Sequence, residues 1–452
     1  MEKKLTEGNP MKLIIGFGLP MLFGMLFQQL YNLVDTMIVG RLLGAEALAA
    51  VGSTGAVNFL IIGFCIGLTS GFAIPVAQQF GAGREREMKC FVANSVWLSA
   101  VLAVVLTIFT VMLCRPILTV MQTPSDIIDG AYSYIVIIFA GIPAIILYNL
   151  LSGIVRSLGD SRTPVIFLAM ASVINIILDY VFIKYVGLGI AGAAYATVIS
   201  QGVSGAACLV LMLRKFTIFQ MPAEDWRPGR RYMYTLCAMG FPMGLQYSVT
   251  AIGSVVLQTA INTLGTQAVA AVTAASRVTM LLYCPFDAMG STMATYGGQN
   301  VGAGRLDRLR TGLRDCTLLG LIYSILAVIL IFLFGKYTLL LFLDPDETRI
   351  IAYATKFLRI NVMFAFPLAL VNIIRFMIQG MGFSTFAILS GIFEMIARAL
   401  VGFVFVGIWG FTAVCFASPF AWILADAFLV PAFFYCYNKL NRKFTERGGT
   451  YA

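Results

Sequence analysis

Lys12 to Val39 reads KLIIGFGLPMLFGMLFQQLYNLVDTMIV, and between its first lysine and its end the only charge is Asp35. About 20 apolar residues carry a helix across a bilayer, and this stretch exceeds that. Eleven further runs of the same kind follow, at 48–78, 90–114, 127–152, 164–184, 189–213, 232–262, 269–299, 314–335, 350–380, 384–406 and 408–437. Twelve membrane-spanning helices are therefore the expectation. The runs are continuously apolar, without the period-two alternation of a membrane barrel. Those longer than about 25 residues must tilt, bend or extend beyond the lipid.

The whole chain has the composition these runs demand. Of its 452 residues, 60% are hydrophobic and 12% charged, against about 25% charged in a soluble protein. A water-soluble fold of this length needs a charged shell that the chain cannot supply. Histidine is absent, which removes His-based triads, His metal sites and His proton relays. The nine cysteines are scattered and form no CxxC pair, so they read as small packing residues and not as a zinc site or disulfide framework. With no nucleophile–base arrangement either, neither an enzyme nor a cofactor is expected. The net charge of +10 does not come from a contiguous basic stripe, so nucleic acid is not an expected partner.

Basic residues set the orientation. The N-terminal stretch, the loops near 84–89, 156–162, 214–231 and 305–314, and the stretch from Lys439 onward carry 21 lysines and arginines. The opposite flanks carry five: Arg41, Arg115, Lys184, Lys336 and Arg349. The positive-inside rule then puts both termini in the cytoplasm, in the cell membrane. The polar start MEKKLTEGNPMK, without an obvious cleavage site, reads as a tail before a retained first span.

The chain also repeats itself. Gly18-Leu19-Pro20-Met21 recurs as Gly240-Phe241-Pro242-Met243, displaced by 222 residues. GAEALAAV at 44–51 recurs as GTQAVAAV at 265–272, and QQFGAGR at 78–84 recurs as QNVGAGR at 299–305, both displaced by 221. Matches in constant order and spacing mark a duplicated six-span unit. The expected organisation is a six-helix lobe over 1–213, a cytoplasmic linker over 214–231, a second lobe over 232–438 and a cytoplasmic tail over 439–452. Six spans per unit keep both halves in one orientation, a layout suited to alternating access.

Five of the 21 acidic residues fall within spans: Asp35, Asp179, Asp287, Glu394 and Asp426. A carboxylate at bilayer depth costs about 2.5–3.5 kcal/mol on insertion scales, so it faces a cavity or a partner. Gln28, Tyr31, Asn32 and Asp35 share one polar face at i, i+3, i+4, i+7 spacing. Asn175 and Asp179 are i, i+4 on the fifth span, and Thr197 reaches their level if spans five and six form a hairpin. Carboxylate, amide and hydroxyl oxygens suit a proton network or a hard monovalent cation, with hydrogen-bonded helix packing as the structural alternative. Glu394 and Arg398, also i, i+4, read as a self-neutralising pair. Asp287 is suited either to a cationic substrate or to pairing with Arg277 or Arg375. Pro20 and Pro242 occupy matched positions where a missing hydrogen bond favours a bend.

LVDTMIVGRLLGAEALAAVG at 33–52, the twice-used QxxGAGR turn and RSLGDSRTPVIF at 156–167 resemble the multidrug and toxic compound extrusion (MATE) transporters over nearly the whole chain. The resemblance implies a V-shaped pair of six-helix lobes exporting amphipathic, often cationic organic molecules in exchange for protons or sodium. In the DinF branch, a first-span aspartate works with a fifth-span asparagine and aspartate and a sixth-span threonine. These match Asp35, Asn175, Asp179 and Thr197, where a sodium ion is the one metal the resemblance allows. Pro20 matches the proline implicated in first-span bending. Gln28, Tyr31 and Asn149 match positions near substrate, and Asn32, Gln246 and Asp287 complete the expected cavity. The chain departs from the NorM branch, which carries a glutamate on span seven and an aspartate on span ten. Here span seven offers Gln246 and span ten offers Asn361 and Asn372. The expected partners are small organic substrates and the bilayer, and the expected state is a monomer. A lipid-linked precursor or polysaccharide flippase of the same superfamily is the alternative, although flippases usually have additional spans and a strongly cationic cavity.

Overall fold

The computed structural model describes residues 4–121, 123–216 and 221–446. Residues 217–220 of the expected linker, 447–452 of the expected tail and the first three residues lie outside them. Among the described residues all regular structure is helical.

The first half comprises α1 (Pro10–Leu43), α2 (Ala45–Ser53), α3 (Gly55–Gly81), α4 (Glu85–Val120), α5 (Ile128–Ala140), α6 (Ile142–Ser157), α7 (Arg162–Tyr180) and α8 (Ile190–Lys215). The second comprises α9 (Arg230–Asn262), α10 (Thr266–Gly302), α11 (Leu306–Leu339), α12 (Thr348–Met363), α13 (Ala365–Gly380), α14 (Thr385–Leu400), the short α15 (Val406–Trp409) and α16 (Phe411–Glu446). Nine helices are long and apolar enough to cross a membrane among the described residues, and eleven spans result if α5–α6 and α12–α13 each count as one. Those pairs bend by 47° and 51°. Each bend precedes a proline in the first turn of the second helix, Pro143 or Pro367, where the missing N–H is tolerated. The expected span 232–262 is also one long helix, α9, but Gln246, Tyr247, Ser248, Thr250 and Gln258 make it less apolar than the other eleven.

The expected run 48–78 is divided at Thr54, where the Gly-Ser-Thr-Gly sequence is a weak helix former. Thr54 turns its hydroxyl back to the carbonyl of Val51 at 2.7 Å. Outward positions of α4 and α11 carry bare apolar side chains such as Phe109, Met112, Ile322 and Phe334. Such surfaces are stable in lipid and not in water.

Two compact units emerge, and their boundaries fall inside helices. Among the described residues, one contains those of 23–244 and the other those of 5–22 with 245–446. The chain thus crosses between units two residues after Pro20 in α1 and two residues after Pro242 in α9. The repeated glycines explain this. A Cβ on Gly240 would lie 2.5 Å from the ring of Phe72, and one on Gly71 would lie 2.5 Å from the Cα of Gly240, so α9 meets α3 backbone to backbone. In the other unit, a Cβ on Gly18 would lie 3.0 Å from Oγ1 of Thr292 on α10. Positions 71 and 292 are 221 apart, the displacement of the repeat itself.

The segments leading into these two helices are held in the same unit as the arms they precede. Leu5 N donates to Oε1 of Gln299 at 2.7 Å, and the buried Arg308 donates through Nη1 to the carbonyl of Gly8 at 2.9 Å. Gly229 N donates to Oδ1 of Asn94 at 2.8 Å, and Trp97 Nε1 donates to the carbonyl of Trp226 at 2.9 Å.

The first unit has an apolar core that includes Leu68, Phe72, Val92, Leu151, Ile154 and Val155. It also fixes the start of α7, the helix that carries Asn175 and Asp179. Gly159 takes φ of 82°, a left-handed conformation that suits glycine. Asp160 then accepts hydrogen bonds from the N–H groups of Arg162 (2.9 Å) and Thr163 (3.1 Å) and from the Thr163 hydroxyl (2.7 Å). Burial acts to raise the Asp160 carboxyl, but the hydrogen bonds outweigh it and hold the group below the usual carboxylate range. Its charge also favours a helix N-terminus.

Candidate functional site

Three helices of the first unit bring four of the sequence-predicted residues together. Asp35 comes from α1, Asn175 and Asp179 from α7, and Thr197 from α8, where α7 and α8 form the expected hairpin joined through a π-helical turn at Val181–Tyr185. Asp179 is fully buried and Asn175 nearly so. The carboxyls of Asp35 and Asp179 lie within hydrogen-bonding range of each other. One oxygen on each, Oδ1, is buried without a hydrogen-bond partner among the described residues. Neither carboxyl has an ion pair there.

Asn175 links the pair to α8. Its side chain lies 3.3 Å from Oγ1 of Thr197. The amide orientation that satisfies both of its ends donates to Oδ2 of Asp179 at 3.2 Å and accepts from Thr197 N at 3.3 Å. Thr197 also donates its hydroxyl to the carbonyl of Ala193 at 3.1 Å.

Tyr31 completes the α1 face and lies in the electrostatic neighbourhood of Asp35, Asp179 and Tyr148. Tyr134 of α5 adds a second phenol near both carboxyls. Sequence reasoning did not single out Tyr134, because it sits in the apolar run SYIVIIFA with no polar neighbour at helical spacing. The expected cavity residues are more dispersed. Gln28 and Asn32 are half-buried on α1, and the Asn32 carbonyl accepts the Thr36 hydroxyl at 2.8 Å. Asn149 spends its amide donor on the carbonyl of Ile145 in its own helix, at 2.8 Å.

The second unit arranges its charges differently. Gln246 is buried and accepts from Nε2 of Gln379 at 2.6 Å, tying α9 to α13. Arg398 Nη2 meets Oε2 of Glu394 at 3.1 Å, as the i, i+4 spacing suggests. Arg375 of α13 takes the other Glu394 oxygen and donates through Nε to the Ser390 hydroxyl at 2.9 Å. The expected pair is thus a buried triad. Arg375 is committed to Glu394, and Arg277 is exposed without an ion pair among the described residues, so neither neutralises Asp287 by direct contact. Asp287 is exposed on α10. A carboxylate on a membrane span that is open to its surroundings must face water, since lipid would not tolerate it.

Comparisons with known proteins agree with this architecture. The chain matches the MatE family over residues 20–181 and 242–404, and so belongs to that family. It is 29% identical over 374 residues, 82% of each chain, to the probable multidrug resistance protein YpnP of Bacillus subtilis (strain 168). It is 32% identical over 348 residues, 75% of this chain and 74% of the relative, to the probable multidrug resistance protein YoeA of the same organism. Its fold superposes with a TM-score of 0.90, at 26% identity over 97% of both chains, on the outward-facing conformation of a multidrug resistance MATE family transporter. The chain is accordingly a multi-pass membrane protein with the fold of the MATE transporters.

Proposed function

We propose that this MatE family chain is a secondary antiporter of the DinF-like branch, exporting amphipathic, often cationic organic compounds in exchange for protons or sodium by alternating access. It sits in the cell membrane as a monomer, with twelve spans in two six-helix lobes and both termini cytoplasmic. The relatives named for multidrug resistance support the export reading. The observation that carries the coupling is the facing of Asp35 and Asp179 in a buried site without a basic partner among the described residues. Two carboxylates at that range cannot both hold full negative charge unless something positive lies between them. A proton or a sodium ion meets that need, with the Asn175 and Thr197 oxygens as further ligands for the metal.

The cycle follows from the asymmetry of that demand. An ion entering from outside neutralises Asp35 and Asp179, and its release to the inside restores their charge. The ion drives transport only if its affinity differs between the outward and inward states. Asp35 lies fifteen residues beyond Pro20 on the same helix, so bending of α1 at that proline changes the height and facing of one carboxyl relative to the other. Gln28, Tyr31, Asn32, Asn149, Gln246 and Asp287 are the polar residues assigned to the substrate cavity, where Asp287 offers a charge for a cationic group.

Ethidium efflux from vesicles under separately imposed proton and sodium gradients tests this reading and distinguishes the two ions. Asp35→Asn is expected to reach the membrane at native levels and to lose efflux under both gradients. Efflux at the native rate from that variant, at matched expression, removes Asp35 from coupling.

A further inference from the structure

Three acids and two arginines lie on the membrane-spanning helices of the second unit: Asp287 on α10, Arg375 on α13, Glu394 and Arg398 on α14, and Asp426 on α16. Arg375, Glu394 and Arg398 are all more than nine-tenths buried. Arg375 is the hub. It contacts Glu394 and Ser390 directly, and its helix meets α10 within a turn of Asp287, where a Cβ on Gly290 would lie 2.8 Å from the ring of Phe376. Glu394 has a carboxylate oxygen on each arginine. One Arg398 nitrogen, Nη1, has no hydrogen-bond partner among the described residues and points toward Gly253 of α9.

A buried arginine with no acid beside it would be drawn to Asp287, and that carboxylate would then be closed to a substrate. Glu394 removes this outcome by occupying the Arg375 guanidinium. We propose that Glu394 is a specificity-determining positioning residue: by clamping Arg375 it leaves the exposed carboxylate of Asp287 unpaired and so sets the preference of this unit for cationic over anionic groups. The inference rests on the reading of Asp287 as a substrate contact. Glu394 itself touches no substrate. Its charge acts through Arg375, and no base need be mutated for the preference to change.

In Glu394→Gln the single amide oxygen accepts from one arginine while the NH2 faces the other, and their charge is no longer cancelled, so Arg375 acts on Asp287; monodisperse elution in size exclusion checks that the fold is retained. Ethidium binding to the purified full chain, followed by its fluorescence, is expected to weaken about fivefold, the low end of measured site-to-site coupling. In transport, the ethidium KM rises by the same factor while kcat is kept. Removing the hub as well, in Glu394→Gln/Arg375→Gln, returns ethidium affinity to within about twofold of native; a purely structural role for Glu394 predicts that the double variant is worse than the single one. Asp287→Asn separates the two layers of the argument. If it leaves ethidium affinity unchanged, the substrate contact at Asp287 is wrong. If it weakens binding while Glu394→Gln does not, or while the double variant fails to recover, the contact stands and the role of Glu394 is overturned. Should Glu394→Gln not fold, Glu394→Gln/Arg398→Gln carries the test, because it removes one stranded base and still leaves Arg375 uncancelled: a fivefold loss of ethidium affinity supports the clamp and native affinity refutes it.

Discussion

Asp35 and Asp179 in the first unit meet carboxyl to carboxyl, whereas Glu394 in the second is held between Arg375 and Arg398. The two arrangements stand on copies of one backbone. The π-helical turn that follows α7 at Val181–Tyr185 recurs after α14 at Val401–Phe405, displaced by 220 residues. Each helix before that turn carries an i, i+4 polar pair, Asn175 with Asp179 on α7 and Glu394 with Arg398 on α14. The duplicated element is therefore the helix with its bulge, and the charge on it diverged. A buried acid flanked by two bases has its own charge met within the protein, the trio carrying a net +1, and draws no cation from solution. A buried acid facing another acid is not balanced, and the missing positive charge must come from outside. Exchange with solution is the property an ion-coupled transporter needs, and this contrast supports the proposal that coupling belongs to the first unit and substrate-charge setting to the second.

The sharpest way to break this assignment is Asp179→Asn. It halves the charge of the first site and leaves a neutral amide where the ion must sit, so gradient-driven efflux is expected to fall to background with the protein still folded. Glu394→Gln, measured in the same vesicles, should keep its dependence on the gradient. Equal loss of gradient dependence in both variants would make the two units alike and defeat the comparison.

Stability should separate them in the opposite order. Glu394→Ala strands two buried arginines, and removing one partner of a buried ion pair costs about 3–5 kcal/mol. Asp179→Ala instead relieves a like-charge contact, which offsets part of the loss of its hydrogen bond from Asn175, so its cost is expected to be smaller, about 1–3 kcal/mol. Thermal melts followed by fluorescence-detected size exclusion read this difference. A larger drop for Asp179→Ala than for Glu394→Ala would mean that the carboxyl pair is a packing feature.

Much of the first site was legible from spacing, because helical periodicity places Gln28, Tyr31, Asn32 and Asp35 on one face and Asn175 beside Asp179 without knowledge of the fold. The meeting of Asp35 with Asp179 was not. It joins helices 144 residues apart in sequence, and only the family resemblance suggested it. The Glu394–Arg398 contact was legible as i, i+4, but Arg375 lies nineteen residues upstream across the α13–α14 turn, beyond any periodicity. Tyr134 was hidden in an apolar run. The unit boundary was hidden for a different reason. Polar, charged stretches such as 214–231 look like seams, yet backbone contact at Gly71 and Gly240 holds the first arm of α9 in the unit formed by residues 23–244. Close packing of glycines leaves no signal in hydropathy.

The smallest effect expected, from Thr197→Val, bears on which ion the first site takes. A proton needs only the two carboxyls, and its position between them owes little to a hydroxyl on α8. A sodium ion needs several oxygens around it, and Thr197 Oγ1, beside Asn175, is a neutral oxygen that α8 contributes. Valine keeps the shape of threonine and removes that oxygen, at a cost on the order of 1 kcal/mol for a lost polar contact. That corresponds to about a fivefold rise in the sodium concentration giving half-maximal efflux. Proton-driven efflux should then change by less than about twofold. A fivefold shift confined to sodium identifies the oxygen cluster as a metal site, and an unchanged sodium dependence reduces the site to the carboxyl pair of Asp35 and Asp179.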